Sequence, residues 1–226
     1  PQAVLVTNLD RRGLTLEDLG ETLLHEFGHA VHNNLSRTRL ASQAGTNVLP
    51  DFVEAPSQML EDWIYERSVL DLMRDVCNTC PPVPDALLAQ ARAAKRFGIG
   101  TRYARQALYA SFDLGLHGPG APEPMALWAR MEGQTALGHV AGSLFPAGFT
   151  HSASGYAAGY YGYLWSEVVA ADLRTAFAGR RLDPAVGRRY RDTVLANGGQ
   201  RPPQSLVRDF LGRETNTTAF FEELKR

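Results

Sequence analysis

Cysteine is scarce in this sequence: two residues in 226, Cys77 and Cys80, spaced C-x-x-C. Zinc sites built on that spacing take a second cysteine pair, and none exists. A thioredoxin-like motif would sit beside a βαβ pattern, which is also missing. The pair is therefore expected to be two ordinary thiols in a helix-to-loop corner before Pro81-Pro82, with a reversible disulfide as the alternative. So few cysteines do not suggest an oxidising compartment, and a cytoplasmic location is the expectation. An excess of one charge is lacking too. Lys and Arg number 23 against 24 Asp and Glu, a net charge of −1. This balance argues against nucleic acid or an anionic membrane as the main partner. No apolar run approaches the ~18–20 residues of a membrane span. No charged segment followed by an apolar one opens the chain, as a secretory signal would. Internal repeats and low-complexity segments are absent.

What is present is globular in character. Apolar residues make up 44% and charged residues 21%, which excludes a disordered or fibrous chain. The length suffices for a hydrophobic core without disulfide or metal staples. Residues 3–8 read as one short β-branched strand. Thr15-Leu-Glu-Asp18 has the [ST]-x-x-[DE] form that starts a helix, expected to run to about Leu35. Residues 38–50 are irregular, and a second long helix covers about 54–76. Further helices fall near 85–97, 101–116 and 122–138. The glycine- and aromatic-rich stretch 147–162 leads into a helix running to about 178. Short helices near 184–196, 203–211 and 217–225 finish a mainly α chain.

The strongest chemical signal is His25-Glu26-Phe27-Gly28-His29, an H-E-x-x-H inside the first helix. Histidines at i and i+4 stand one above the other on one face, so both imidazoles can bind one zinc ion. The glutamate between them sits beside the metal and can take a proton from water. At about 100° per residue, Leu16, Leu19, Leu23, Phe27, Ala30 and Val31 form one apolar stripe. Thr22, His25, His29 and His32 lie on the other side. A plain surface face would be richer in lysine and glutamate, so this composition suits a face looking into a cleft. Two surface or core histidines remain the bland alternative.

Catalytic zinc usually takes three protein ligands. Asp51, Glu54, Glu61, His117, His139 and His151 are the downstream candidates. Glu54 and Glu61 are seven apart, on one face of the next helix. Asp51-x-x-Glu54 also has the form of a capping box. Pro56 fits a first helical turn. Spacing alone leaves capping and ligation by Glu54 about even. Further on, Tyr156, Tyr160 and Tyr163 are spaced 4 and 3. That is most often an aromatic stripe packed in a core, but the glycine density argues for a mobile loop leading into a helix.

Three blocks, in order and spacing, resemble the thimet oligopeptidase family of zinc metallopeptidases. They are His25-Glu-Phe-Gly-His29-Ala-Val-His32, Asp51-Phe-Val-Glu-Ala-Pro-Ser-Gln-Met-Leu-Glu61, and the segment from His151 to Glu167. The resemblance runs over the whole chain but covers only the catalytic, C-terminal part of the family. It implies a multi-helix, zincin-like catalytic domain over 1–226, with a short N-terminal strand. That domain is one half of a channel-type oligopeptidase, a fragment whose missing N-terminal helical region completes the channel. It implies one zinc ion held by His25, His29 and Glu54, with Glu26 as the general base. His151, Tyr156 and Tyr163 match the family's transition-state donors. Tyr160, Gly45 and Thr46 match positions that touch substrate. Asp51, Glu61 and His32 become candidates to orient the ligating histidines. The implied activity is hydrolysis of internal bonds in short peptides. Release of C-terminal dipeptides, or an inactive helical module, are the alternatives.

Overall fold

Thr15 and Asp18 close the capping box the sequence promises. The Thr15 backbone N–H and hydroxyl both donate to Asp18 Oδ2 at 2.8 Å, and the Asp18 N–H donates back to the Thr15 hydroxyl at 3.1 Å. Those hydrogen bonds hold the Asp18 carboxyl below its ordinary pKa. From this start the computed structural model, which describes residues 2–10, 12–77, 79–177 and 179–225, is helical, and no strand occurs among the described residues. The expected strand at 3–8 is a correction: the segment has no regular structure, and Val4 is 90% exposed. A β-branched run with no partner strand has nothing to pair its backbone with. No helix among the described residues is long and apolar enough to cross a membrane.

The first helix is two helices in series. Asp18–Leu24 is π-helical and feeds α1, His25–Leu35, without a break. The wider π turn shifts the phase of everything after it. Leu16 and Leu19 pack beside Ile64 and Tyr65, and Val31 packs near Phe52 and Met59. Phe27, assigned by a uniform 100° wheel to the apolar stripe, is instead 49% exposed. The expected helix 54–76 is likewise divided: α2 Pro50–Val53, α3 Ala55–Glu61, a 3-10 turn Asp62–Tyr65 and α4 Arg67–Val76.

Beyond it come α5 (Asp85–Arg96), α6 (Ile99–Leu116), α7 (Pro124–Glu132), α8 (Phe145–Gly148), α9 (Tyr161–Thr175), α10 (Pro184–Thr193), α11 (Pro203–Leu211) and α12 (Thr218–Lys225). Cys77 and Cys80 are joined in a disulfide, which corrects the expectation of two thiols. The Cys80 N–H donates to the Cys77 carbonyl, a turn that brings the Cα atoms to 5.4 Å, inside bonding range.

The chain forms two compact units, Pro1–Phe97 with Ser166–Arg226, and Gly98–Trp165. In the first, Phe52, Met59, Trp63, Leu173, Leu206 and Phe210 are buried in one core. Two glycines let helices approach closely there. A Cβ on Gly28 would stand 2.5 Å from the Ser57 Cα, and one on Gly20 would stand 2.6 Å from Ile64. Beside this core lies a cluster of charges. Arg174, nearly fully buried, pairs with Asp62, Glu167 and Glu223, and Lys95 pairs with Asp62. Burial would raise the Asp62 carboxyl, but Arg174 and Lys95 outweigh it and hold it at about 2.

The second unit has an aromatic core. Phe112 and Trp128 meet edge to face at 5.3 Å, and Trp128 stacks on Phe145 at 4.1 Å. Phe149 and Tyr160 complete it. The Glu123 carboxylate caps α7 by accepting from Met125 and Ala126.

Candidate active site

Three predicted ligand side chains of the first unit converge. His25 Nε2 and His29 Nε2 each lie 3.1 Å from one oxygen, Glu54 Oε2. One ligand atom from each of the three lies within 4.8 Å of the others. The i, i+4 spacing on α1 sets the two rings 5.0 Å apart. Glu54 comes from the junction of α2 and α3 and is almost fully buried. The N-cap positions of α2 and α3 are Leu49 and Glu54, and neither side chain caps its helix. The Ser57 hydroxyl, fully buried, lies within hydrogen-bonding distance of both the Glu54 carbonyl (2.9 Å) and Glu54 Oε2 (3.1 Å). The Gly28 contact brings that segment against α1.

On the far side of the His25 ring, Nδ1 meets Glu61 Oε1 at 2.7 Å. This leaves Nε2 facing Glu54. Burial alone would lower the His25 pKa. Hydrogen bonds to Glu54 and Glu61, and their charges, outweigh burial and push it up to about 10. Burial pushes Glu61 up to about 7 against its hydrogen bond to His25. A field that favours positive charge between these groups also favours a divalent cation. Two imidazole nitrogens and one carboxylate oxygen, with a carboxylate behind one ring, form the donor set of an open zinc site. The residues present therefore fit such a metal.

The remaining predicted residues of this unit fall as follows. Glu26 is half-buried on α1. His32 is fully buried, and neither ring nitrogen has a hydrogen-bond partner among the described residues. Burial, with a smaller contribution from His29, lowers its pKa to about 4, so it is a neutral core histidine. The Asp51 carbonyl accepts from the Ser166 hydroxyl. Gly45 has φ +54, and its backbone lies against Asn33 of α1, which by itself accounts for a glycine there. Thr46 is half-buried beside it.

In the second unit, His151 is the centre of a ring cluster. Its centroid lies 5.9 Å from Tyr156, 5.2 Å from Tyr160 and 5.7 Å from Tyr163. Tyr156 stacks on Tyr163 at 5.1 Å. These four residues, dispersed over thirteen positions, are thus brought together by a chain of turns rather than by one helical face, since α9 begins only at Tyr161. Ala158 has φ +57, a conformation that costs a non-glycine residue roughly 1–2 kcal/mol. Tyr160 is buried in the aromatic core, and its hydroxyl donates to Gln106 Oε1 at 3.0 Å. Of the other histidines, His117 contacts Asp113 and His139 contacts Glu132. Sequence reasoning passed over Ser57 and Asp113. The only signal for either was a small or charged residue within a helix, which is too common to single out.

A family model described as peptidase family M3 matches residues 1–226. Oligopeptidase A of Escherichia coli (strain K12) is 35% identical over 235 residues, covering 98% of this chain and 35% of the relative. Saccharolysin of Saccharomyces cerevisiae is 33% identical over 237 residues, covering 99% of this chain and 33% of the relative. Organellar oligopeptidase A of Arabidopsis thaliana is 37% identical over 206 residues, covering 86% of this chain and 26% of the relative. The chain thus spans about a third of the length of the first two. A match that runs the full length of the chain, over a helix pair carrying two histidines and a buried glutamate around one point, leads to one assignment: the chain belongs to peptidase family M3.

Proposed function

We propose that this chain is the catalytic part of a zinc-dependent oligopeptidase that hydrolyses internal bonds of short peptides. The observation that carries the proposal is the aim of His25 Nε2 and His29 Nε2 at the single oxygen Glu54 Oε2. In this reading His25, His29 and Glu54 hold the ion. Zinc supplies Lewis acidity at that point, easing deprotonation of water and attack on a carbonyl. Glu26 takes the proton of the attacking water and delivers it to the leaving amine. Negative charge develops on the carbonyl oxygen, and the family resemblance offers His151, Tyr156 and Tyr163 as its donors. Glu61 orients His25. Gly45 and Thr46 offer backbone groups to the peptide, and Tyr160 supports the ring cluster from within the core. The greater length of the relatives fits an N-terminal region that completes a substrate channel, and a cytoplasmic location belongs to the same reading.

The test is Glu26→Gln. The variant is expected to keep about one equivalent of zinc and to lose roughly 10²- to 10⁴-fold in turnover of a quenched fluorescent peptide. Unchanged turnover refutes the assignment. Equal cleavage of the free and the C-terminally amidated peptide supports internal cleavage over removal of C-terminal dipeptides.

A further inference from the structure

The loop that carries the tyrosines is held by more than its own turns, such as the Gly159 N–H to the Tyr156 carbonyl at 2.7 Å. Its backbone N–H groups at Ala158 and Tyr160 donate to the two carboxyl oxygens of one side chain, Asp113 of α6, at 3.2 and 3.0 Å. Asp113 is fully buried and 45 residues away in sequence from Ala158. The two N–H groups flank the turn in which Ala158 takes its positive φ. Two turns earlier on the same face of α6, Gln106 accepts the Tyr160 hydroxyl. At the end of α6, His117 Nδ1 lies 3.2 Å from Asp113 Oδ1 and 2.9 Å from the Asp113 carbonyl. One helix therefore grips the loop at both the backbone and the side chain of Tyr160.

We propose that Asp113 is the positioning residue of the tyrosine loop, fixing the left-handed turn at Ala158 and thereby the places of Tyr156 and Tyr163 around His151. Glycines 159 and 162 give the segment between Tyr156 and Tyr163 many alternative conformations. A single hydrogen bond could not select one of them as well as a buried carboxyl that takes two N–H groups at once. Neither Asp113 nor Gln106 belongs to the set of residues that reach substrate. Their part is to make the donors' arrangement permanent before substrate arrives. The functional side of this inference rests on the reading of His151, Tyr156 and Tyr163 as donors to the oxyanion; the structural side does not.

The experiment pairs Asp113→Ala with Asp113→Asn, which keeps the volume and one acceptor. The first readout is amide hydrogen exchange on the whole chain loaded with zinc. Exchange at Ala158 and Tyr160 is expected to speed up at least tenfold in Asp113→Ala and less in Asp113→Asn, while α1 amides and zinc content stay as in the parent. Unchanged exchange at those two amides in both variants overturns the positioning role. Loss of protection throughout the second unit in both variants overturns it as well, since Asp113 would then be a general stability residue. The second readout is steady-state cleavage, with kcat expected to fall on the order of 10²-fold in Asp113→Ala while KM stays within a few-fold. Tyr163→Phe separates the two failures. If that variant and Asp113→Ala both leave kcat unchanged while the loop exchanges faster, the donor reading falls and the positioning role stands. If Tyr163→Phe lowers kcat and Asp113→Ala does not, the positioning role falls.

Discussion

Replacing Gly28 by alanine tests whether the proposed metal centre depends on the closeness of α1 and α3. The new Cβ would meet the Ser57 Cα at 2.5 Å and the Pro56 carbonyl and Ser57 nitrogen at 3.1 Å. All three are backbone atoms, so no side chain can swing aside. Carbon atoms rest at about 3.5–4.0 Å, so the helices must separate by about 1 Å. Ser57 lies three residues from Glu54, and its hydroxyl contacts Glu54 Oε2. A shift there carries the carboxylate away from both imidazoles. Metal–ligand distances tolerate only about ±0.2 Å, several times less than the shift. Stability should change less than the metal affinity does. Overpacking costs about 1–3 kcal/mol, while alanine gains about 1 kcal/mol over glycine in a helix. The net is a loss of about 0–2 kcal/mol, or a few degrees in Tm for a chain of this size. Zinc affinity should fall at least tenfold, as when the surroundings of ligating groups are disturbed. Competition with a chromophoric chelator measures the affinity, and calorimetry measures the melting. Parent-like zinc affinity in a folded Gly28→Ala variant would refute the argument that helix contact sets the ligand geometry.

The same structure yields two further expectations. Glu61→Gln removes the carboxylate behind His25 while keeping its shape, and zinc affinity should drop about 10- to 100-fold with the fold intact; equal affinities in parallel titrations would dismiss Glu61 as an orienting group. On acidification of the metal-free chain two groups should lose stabilising contributions, against an opposite gain as Glu61 takes up its proton between about pH 7 and 4.5. Burial holds the His32 pKa at about 4, below the 6.5 of a free imidazole, so the unfolded chain takes the proton first and the His32 contribution is lost between about pH 6.5 and 4. Asp62, at about 2 against 3.8, contributes stability above pH 3.8 that is lost as pH falls toward 2, about 2 kcal/mol in all. Urea titrations across pH 7 to 2 follow both losses, and a His32→Leu variant showing the same slope between pH 6.5 and 4 would rule out His32 as a contributor.

Much of the candidate site was legible because its parts are local. The H-E-x-x-H pair needs only the helical period to bring two imidazoles together, and Thr15 with Asp18 needs only three residues to start that helix. The mainly α character follows from periodicities of the same short range. Where the sequence misled, a longer-range or cooperative effect had entered. A π turn at Asp18–Leu24 rotated α1 and brought Phe27 into solvent. A strand pattern at 3–8 found no partner. A turn closed Cys77 on Cys80.

By itself the sequence determined the residue types, the helix that holds His25 and His29, and the candidates for a third ligand, because these follow from spacing along one chain. Spacing could not choose between a cap and a ligand for Glu54. Packing adds the place of that carboxylate: the missing Cβ of Gly28 lets α3 close on α1, and Glu54 Oε2 lies 3.1 Å from both ring nitrogens. The hold of Asp113 on residues 45 and 47 positions away is of the same kind. Contacts between distant segments depend on how whole helices pack, and no local pattern encodes that.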